Sequence, residues 1–179
     1  PLGFGLGIPW QNEEIQPGWT ERSLQTFQPP WWFNWQYDAI DEPGYVPMLW
    51  RPAFDANFRF AIRAANTHPT KMWLLSHDPD RGDDDMMDPA TEAFLAREWA
   101  ASTSALFAAP GTLCNRTGVD WLKAYLDAGA PVPDAWHIHA YSMRDGTAWR
   151  TSLESAFAEW YLAEGQGRPI LISETNASG

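Results

Sequence analysis

Two acids far apart in the chain each close a short apolar run: Asp78 in "LLSHDPD" (74–80) and Glu174 in "RPILISETN" (168–176). Such a pair can divide the work of breaking a bond between sugars. One carboxyl protonates the leaving oxygen while the other attacks the anomeric carbon or activates water. Around them stand residues suited to assist. His77 precedes Asp78, while His139 and Tyr141 of "AWHIHAY" (135–141) end a third run, where they can orient Glu174 or tune its charge. Asn34, Trp35 and Trp50 end two further runs, and Trp35, Trp50 and Trp73 offer flat faces on which a sugar ring can stack. Twelve tryptophans in 179 residues is far above ordinary usage. A buried indole N–H needs a partner, so some of these rings are expected to face a ligand.

For the acids to meet, the runs that carry them must be neighbouring strands pointing the same way. Seven apolar runs recur, at 4–8, 31–35, 45–50, 72–76, 112–116, 135–141 and 169–174. Helical segments at 55–68, 89–108, 118–130 and 151–167 separate the later ones, and a short helix is expected near 20–27. In 151–167 the apolar Leu153, Phe157, Trp160 and Tyr161 share one helical face; Thr151 or Ser152 can cap its start, and Gly165 or Gly167 its end. Near-continuous apolar strands alternating with helices predict an α/β architecture, a parallel sheet covered on both sides. No run leads into a phosphate-binding glycine loop; "GFGLG" (3–7) runs into Pro9 and Trp10 rather than a helix. Polar residues gather instead at the ends of six runs, including Gln36, Arg51, Asn115, Arg116 and Asn176, as in a closed barrel with its site at the C-terminal ends of the strands.

Composition narrows the partners. Acidic residues outnumber basic ones by 23 to 12, for a net charge of -11, which repels nucleic acid and anionic lipid and leaves neutral sugars open. No stretch is apolar for long enough to span a membrane, and no targeting signal is visible at the start. The chain reads as soluble, and its compartment, secreted or not, is left unassigned. A single cysteine, Cys114, excludes an internal disulfide and reads as a small buried residue. His137 and His139 share a strand face, yet no HExxH accompanies them, so neither a catalytic metal nor a cofactor is expected. Asp80, Asp83 to Asp85 and Asp88 form an acidic loop that could lend a spare carboxyl, without the glycine and glutamate spacing of an EF-hand. The sequons at 115–117 and 176–178 lie near the expected mouth, which argues against their use.

Five segments in order give a more specific likeness. "WWFNWQ" (31–36), "VPMLW" (46–50), "LLSHDPD", "HIHAY" (137–141) and "RPILISETN" resemble the strands of clan A glycoside hydrolases, most closely the compact endo-β-1,3-glucanase-like cores of family 128. The resemblance implies a TIM-like (β/α) barrel, with Glu174 as nucleophile, His139 and Tyr141 beside it, and Asp78 where the family has its acid/base glutamate. His77 stands in place of the asparagine that binds the sugar 2-hydroxyl. Asn34, Trp35 and Trp50 fall on the substrate side. The implied reaction is hydrolysis of β-glucan by two carboxylates with retention, and the implied partner is a polysaccharide or oligosaccharide. A noncatalytic module that still grips glucan is the second reading. The implied domain spans 1–179. After Glu174 only "TNASG" follows, so the expectation is a C-terminally truncated barrel lacking its eighth β/α unit, with an open edge through which chains can self-associate.

Overall fold

The computed structural model describes residues 5–7, 17–37, 40–50, 55–80, 87–141 and 153–176. Its strands are β1 (Gly5–Gly7), β2 (Trp31–Phe33), β3 (Met48–Leu49), β4 (Met72–Leu75), β5 (Leu106–Ala108), β6 (Thr112–Leu113), β7 (Trp136–Tyr141) and β8 (Ile170–Asn176). They pair in chain order and always in parallel: β1 with β2, β3 with β4 and β5, β6 with β7 and β8. Isolated parallel bridges join these three small sheets, Trp32 to Tyr45, His77 to Gly111 and Ala108 to Ala135. β1 also lies against β8.

The fifth run departs from expectation. The segment 89–108, read as one helix, is helical only over Pro89–Ser102; Leu106–Ala108 is a strand. Thr103 is extended, its hydroxyl accepts from the Ala105 amide at 3.1 Å, and the Trp99 indole donates to the Ala105 carbonyl at 3.3 Å. These contacts turn the chain out of the helix towards β4, where the helical content of "SALFA" is overridden by sheet pairing. The run therefore begins at 106, not 112, and Pro110, which has no N–H to give, falls where the ladder breaks into β5 and β6.

The helices between the strands start where the sequence provides caps. In α2 (Ala56–Thr67) the Asp55 carboxylate accepts from the amides of Asn57 and Phe58, and in α4 (Arg116–Asp127) Asn115 accepts from Gly118. α3 (Pro89–Ser102) combines Pro89 in its first turn with Asp88, which accepts from Thr91 at 2.9 Å. Asp88 is thus a helix cap and not a spare carboxyl for the site. The exposed α1 (Trp19–Phe27) matches the short helix expected there. In the final segment a π-helical turn (Leu153–Phe157) leads into α5 (Ala158–Glu164), which ends at Gly165; Thr151 and Ser152 lie outside the described residues.

Both faces of the strands are covered, which is why their runs are apolar throughout. On one face Trp73 and Leu75 pack with Trp99, Phe58 and Ala61 of the helices. On the other Leu74 meets Phe33, Met48, Ala108 and Ala135. Trp73 is fully buried, with its ring 5.1 Å from that of Trp99. It belongs to the core and offers no face to a sugar, because period-two alternation along β4 turns it towards the helices. Truncating such a ring costs about 3–5 kcal/mol.

Candidate active site

The tip of β4 is held from both sides. The amides of Ser76 and His77 donate to the carbonyls of Leu49 and Trp50, while the Asp78 amide donates to Gly111 and the Gly111 amide to Ser76. Ser76 and Asp78 are left-handed, with φ of 64° and 48°, and Trp35 after β2 has φ of 59°. Among the described non-glycine residues these are three of five with positive φ, so unusual backbone concentrates where the expected site lies.

The side chains then converge. Asp78 and His139, both buried, share a hydrogen bond of 2.5 Å between Oδ1 and Nδ1. His77 Nε2 stands 3.6 Å from Asp78 Oδ2 and 3.3 Å from Glu174 Oε1. The same Glu174 oxygen accepts from the Trp35 indole N–H at 3.1 Å. Since both carboxylates touch one imidazole nitrogen, those two oxygens are at most about 7 Å apart. Glu174 and His139 face each other in the β7–β8 register, beside a shift in that register. Trp50, more than a third exposed, meets the His77 ring edge-on at 6.2 Å, and Trp35 does so at 6.3 Å. Glu174 is the more open acid, with 18% of its side chain exposed against 2% for Asp78.

Not every expected residue takes the place foreseen. The Asn34 carbonyl accepts from the Tyr45 hydroxyl at 2.5 Å and from the Gln36 amide at 3.2 Å, which fixes the turn after β2. Asp80 is buried and accepts from the Leu113 amide at 3.1 Å, tying the loop after β4 to β6; burial pushes its carboxyl up to about 6 against the pull of that amide. It is an anchor and not a loose loop carboxyl. Asn115 and Arg116 serve α4, as its cap and first residue. The backbone of Tyr141 and Asn176 belongs to β7 and β8, but their side chains, Arg51 and Asp83 to Asp85 lie outside the described residues.

Gly111 and Glu92 escaped sequence reasoning, and His137 was noted there only as sharing a strand face with His139. His137 is fully buried, 5.2 Å from the His139 ring, with Nε2 2.5 Å from the Ser173 hydroxyl. Burial above all, and then the neighbouring His139 and His77, hold it well below the usual imidazole range, so it is neutral. Gly111 makes room for both rings: a Cβ there would stand 2.5 Å from His137 Cε1 and 2.8 Å from His139 Nε2. Beneath the β4 tip, Glu92 of α3 is buried near Ser76, and burial raises its carboxyl to about 8. The H-x-H alternation and an acid inside an apolar helix were the available signals.

Chemically the cluster offers two carboxylates on either side of an imidazole, one oriented by a second imidazole and the other by an indole N–H, at the C-terminal ends of parallel strands. A family model described as the glycosyl hydrolase catalytic core matches residues 7–178. No curated protein matches the chain. Among solved structures, a GH128 (subgroup IV) endo-β-1,3-glucanase from Lentinula edodes superposes with a TM-score of 0.70 at 19% identity, covering 96% of this chain and 70% of that one. A GH128 (subgroup VI) exo-β-1,3-glucanase from Aureobasidium namibiae gives 0.71 at 17% identity, covering 98% and 70%. A GH128 (subgroup I) endo-β-1,3-glucanase from Amycolatopsis mediterranei, in complex with laminaritriose, gives 0.65 at 20% identity, covering 99% and 73%.

Proposed function

Because the chain belongs to the glycosyl hydrolase catalytic core family, we propose that it hydrolyses β-1,3-glucan, with Glu174 as nucleophile and Asp78 as general acid/base. The observation that carries this reading is the meeting of Asp78 and Glu174 around His77, although 96 positions separate them in the chain. Glu174, the more accessible acid, attacks the anomeric carbon. Asp78, aligned by His139, gives its proton to the leaving oxygen and later withdraws one from water. The ceiling of about 7 Å on their separation accommodates retention, at about 5–5.5 Å, and leaves almost none of the inverting range of about 6.5–9.5 Å. The indole N–H of Trp35 steadies the nucleophile's charge, and the exposed Trp50 ring stacks on the sugar. We assign His77, beside both acids, to gripping a sugar hydroxyl.

We read the fold as a TIM-like barrel in one domain. The strands pair in parallel and in chain order, β5 and β6 together fill one place between β4 and β7, and β1 lies against β8, which favours closure without an open edge. The solved glucanases that superpose, one of them holding laminaritriose, favour a linear β-1,3-glucan as the ligand.

Release of reducing sugar from laminarin tests the reading. The parent chain is expected to hydrolyse it, Asp78→Asn to lose about 10²–10⁴-fold, and Glu174→Gln to fall to background. Unchanged turnover in either variant overturns the assignment. One observation favours a second reading, a glucan-binding module without turnover: the Asp78 side chain is only 2% exposed and engaged by His139. Laminarin binding by a parent chain that releases no sugar would establish that alternative.

A further inference from the structure

His77, His139 and Glu174 each place one donor atom within 4.8 Å of the others, two imidazoles from different strands and one carboxylate. Along one edge the spacing already suits a metal: His77 Nε2 and Glu174 Oε1 are 3.3 Å apart, about the ligand-to-ligand distance of a tetrahedral zinc ion with bonds of about 2.0–2.2 Å. Asp78 hydrogen-bonds His139 Nδ1 and so fixes the orientation of that ring. Both histidines are buried, whereas Glu174 is partly open to solvent, so an ion could enter from the mouth and keep water on its remaining side. Imidazole and carboxylate donors together favour zinc-class ions over calcium or magnesium, which take oxygen.

We propose that His77, His139 and Glu174 form an inhibitory site for a divalent ion of the zinc class, which occupies the catalytic mouth and excludes the glucan. Binding requires only the three donors. Inhibition rests on the reading of Glu174 as nucleophile, since an ion on that carboxylate blocks its attack.

Calorimetric titration of the whole chain with Zn²⁺ tests the binding, with Ca²⁺ as the control ion. One Zn²⁺ per chain is expected, with little heat from Ca²⁺. Asp78→Asn, which keeps all three donors, is expected to weaken Zn²⁺ about 10–100-fold, and His77→Asn to weaken it more. Zn²⁺ should also raise the melting temperature of the parent but not of His77→Asn, a readout that exposes a variant that fails to fold. The site is overturned if Zn²⁺ gives no saturable heat, if His77→Asn binds like the parent, or if Ca²⁺ binds as tightly, the mark of surface carboxylates. Laminarin hydrolysis measured with and without Zn²⁺ separates the two readings. Zn²⁺ binding with no parental turnover removes the glucanase assignment and leaves the site, whereas turnover untouched by saturating Zn²⁺ removes the inhibition.

Discussion

Trp35 shows how one side chain can serve a site without reacting. Its indole N–H is placed on Glu174 Oε1 at 3.1 Å by a left-handed backbone that few residues of its size adopt. A hydrogen bond to a charged carboxylate contributes about 1.5–3 kcal/mol. Trp35→Phe keeps an aromatic face and removes the donor, so laminarin kcat/KM is expected to fall roughly ten- to a hundredfold. The melting temperature, read by circular dichroism, should change little, because the indole is only partly buried. An equal loss in stability and activity would mean that the ring matters for packing alone.

The interrupted strand made by β5 and β6 has a similar significance for the elements around it. Gly111 pairs with His77 across the ladder, and its missing side chain leaves room for the His137 and His139 rings. In Gly111→Ala those rings must move, which turns His139 away from Asp78. Overpacking of this kind costs about 1–3 kcal/mol, and a misplacement of about 1 Å at a reacting group can cost about a hundredfold in rate. Denaturant unfolding and laminarin kinetics should show both losses. Gly118 at the start of α4 is constrained differently: a Cβ there would run into the Leu113 carbonyl oxygen and approach Asp80 Oδ2 at 3.1 Å. Gly118→Ala is expected to destabilise the chain and to disturb the Asp80 anchor, checked by a lowered denaturation midpoint.

For the molecule as a whole, a buried acid under the β4 tip makes stability depend on pH. Glu92 is 1% exposed, and burial raises its carboxyl to about 8 from an ordinary value of 4.5. The folded state therefore keeps it protonated at pH values where the unfolded chain has already lost the proton. Its contribution is fully favourable below about 4.5 and declines as pH rises towards about 8, by at most about 1.4 kcal/mol per pH unit. Glu92→Gln, neutral at every pH, should remove that decline and melt higher than the parent at pH 8, by about 2–4 °C per kcal/mol recovered. Identical melting profiles from pH 5 to 8 would show that Glu92 is not the responsible group. No helix among the described residues is long and apolar enough to cross a membrane.

Much of this was legible in the order of residues alone. Apolar runs on a two-sided sheet, caps such as Asp55, and Pro89 at a helix start follow from local geometry, which a sequence carries directly. So does the placing of Asp78 and Glu174 at strand ends. Which polar groups meet was settled only by the fold, because partners such as Asp78 and His139 lie 61 residues apart and their distance depends on how parallel strands register. Trp73 and Trp35 illustrate the division. Composition presents both as rings for a sugar, but pleating sends Trp73 into the helices, while a turn in the left-handed region brings Trp35 to Glu174. Asp80 and Asp88 look like loose acids in a line of letters. In three dimensions each is tied to a backbone amide, since a buried or helix-starting N–H needs an acceptor and the nearest carboxylate supplies it.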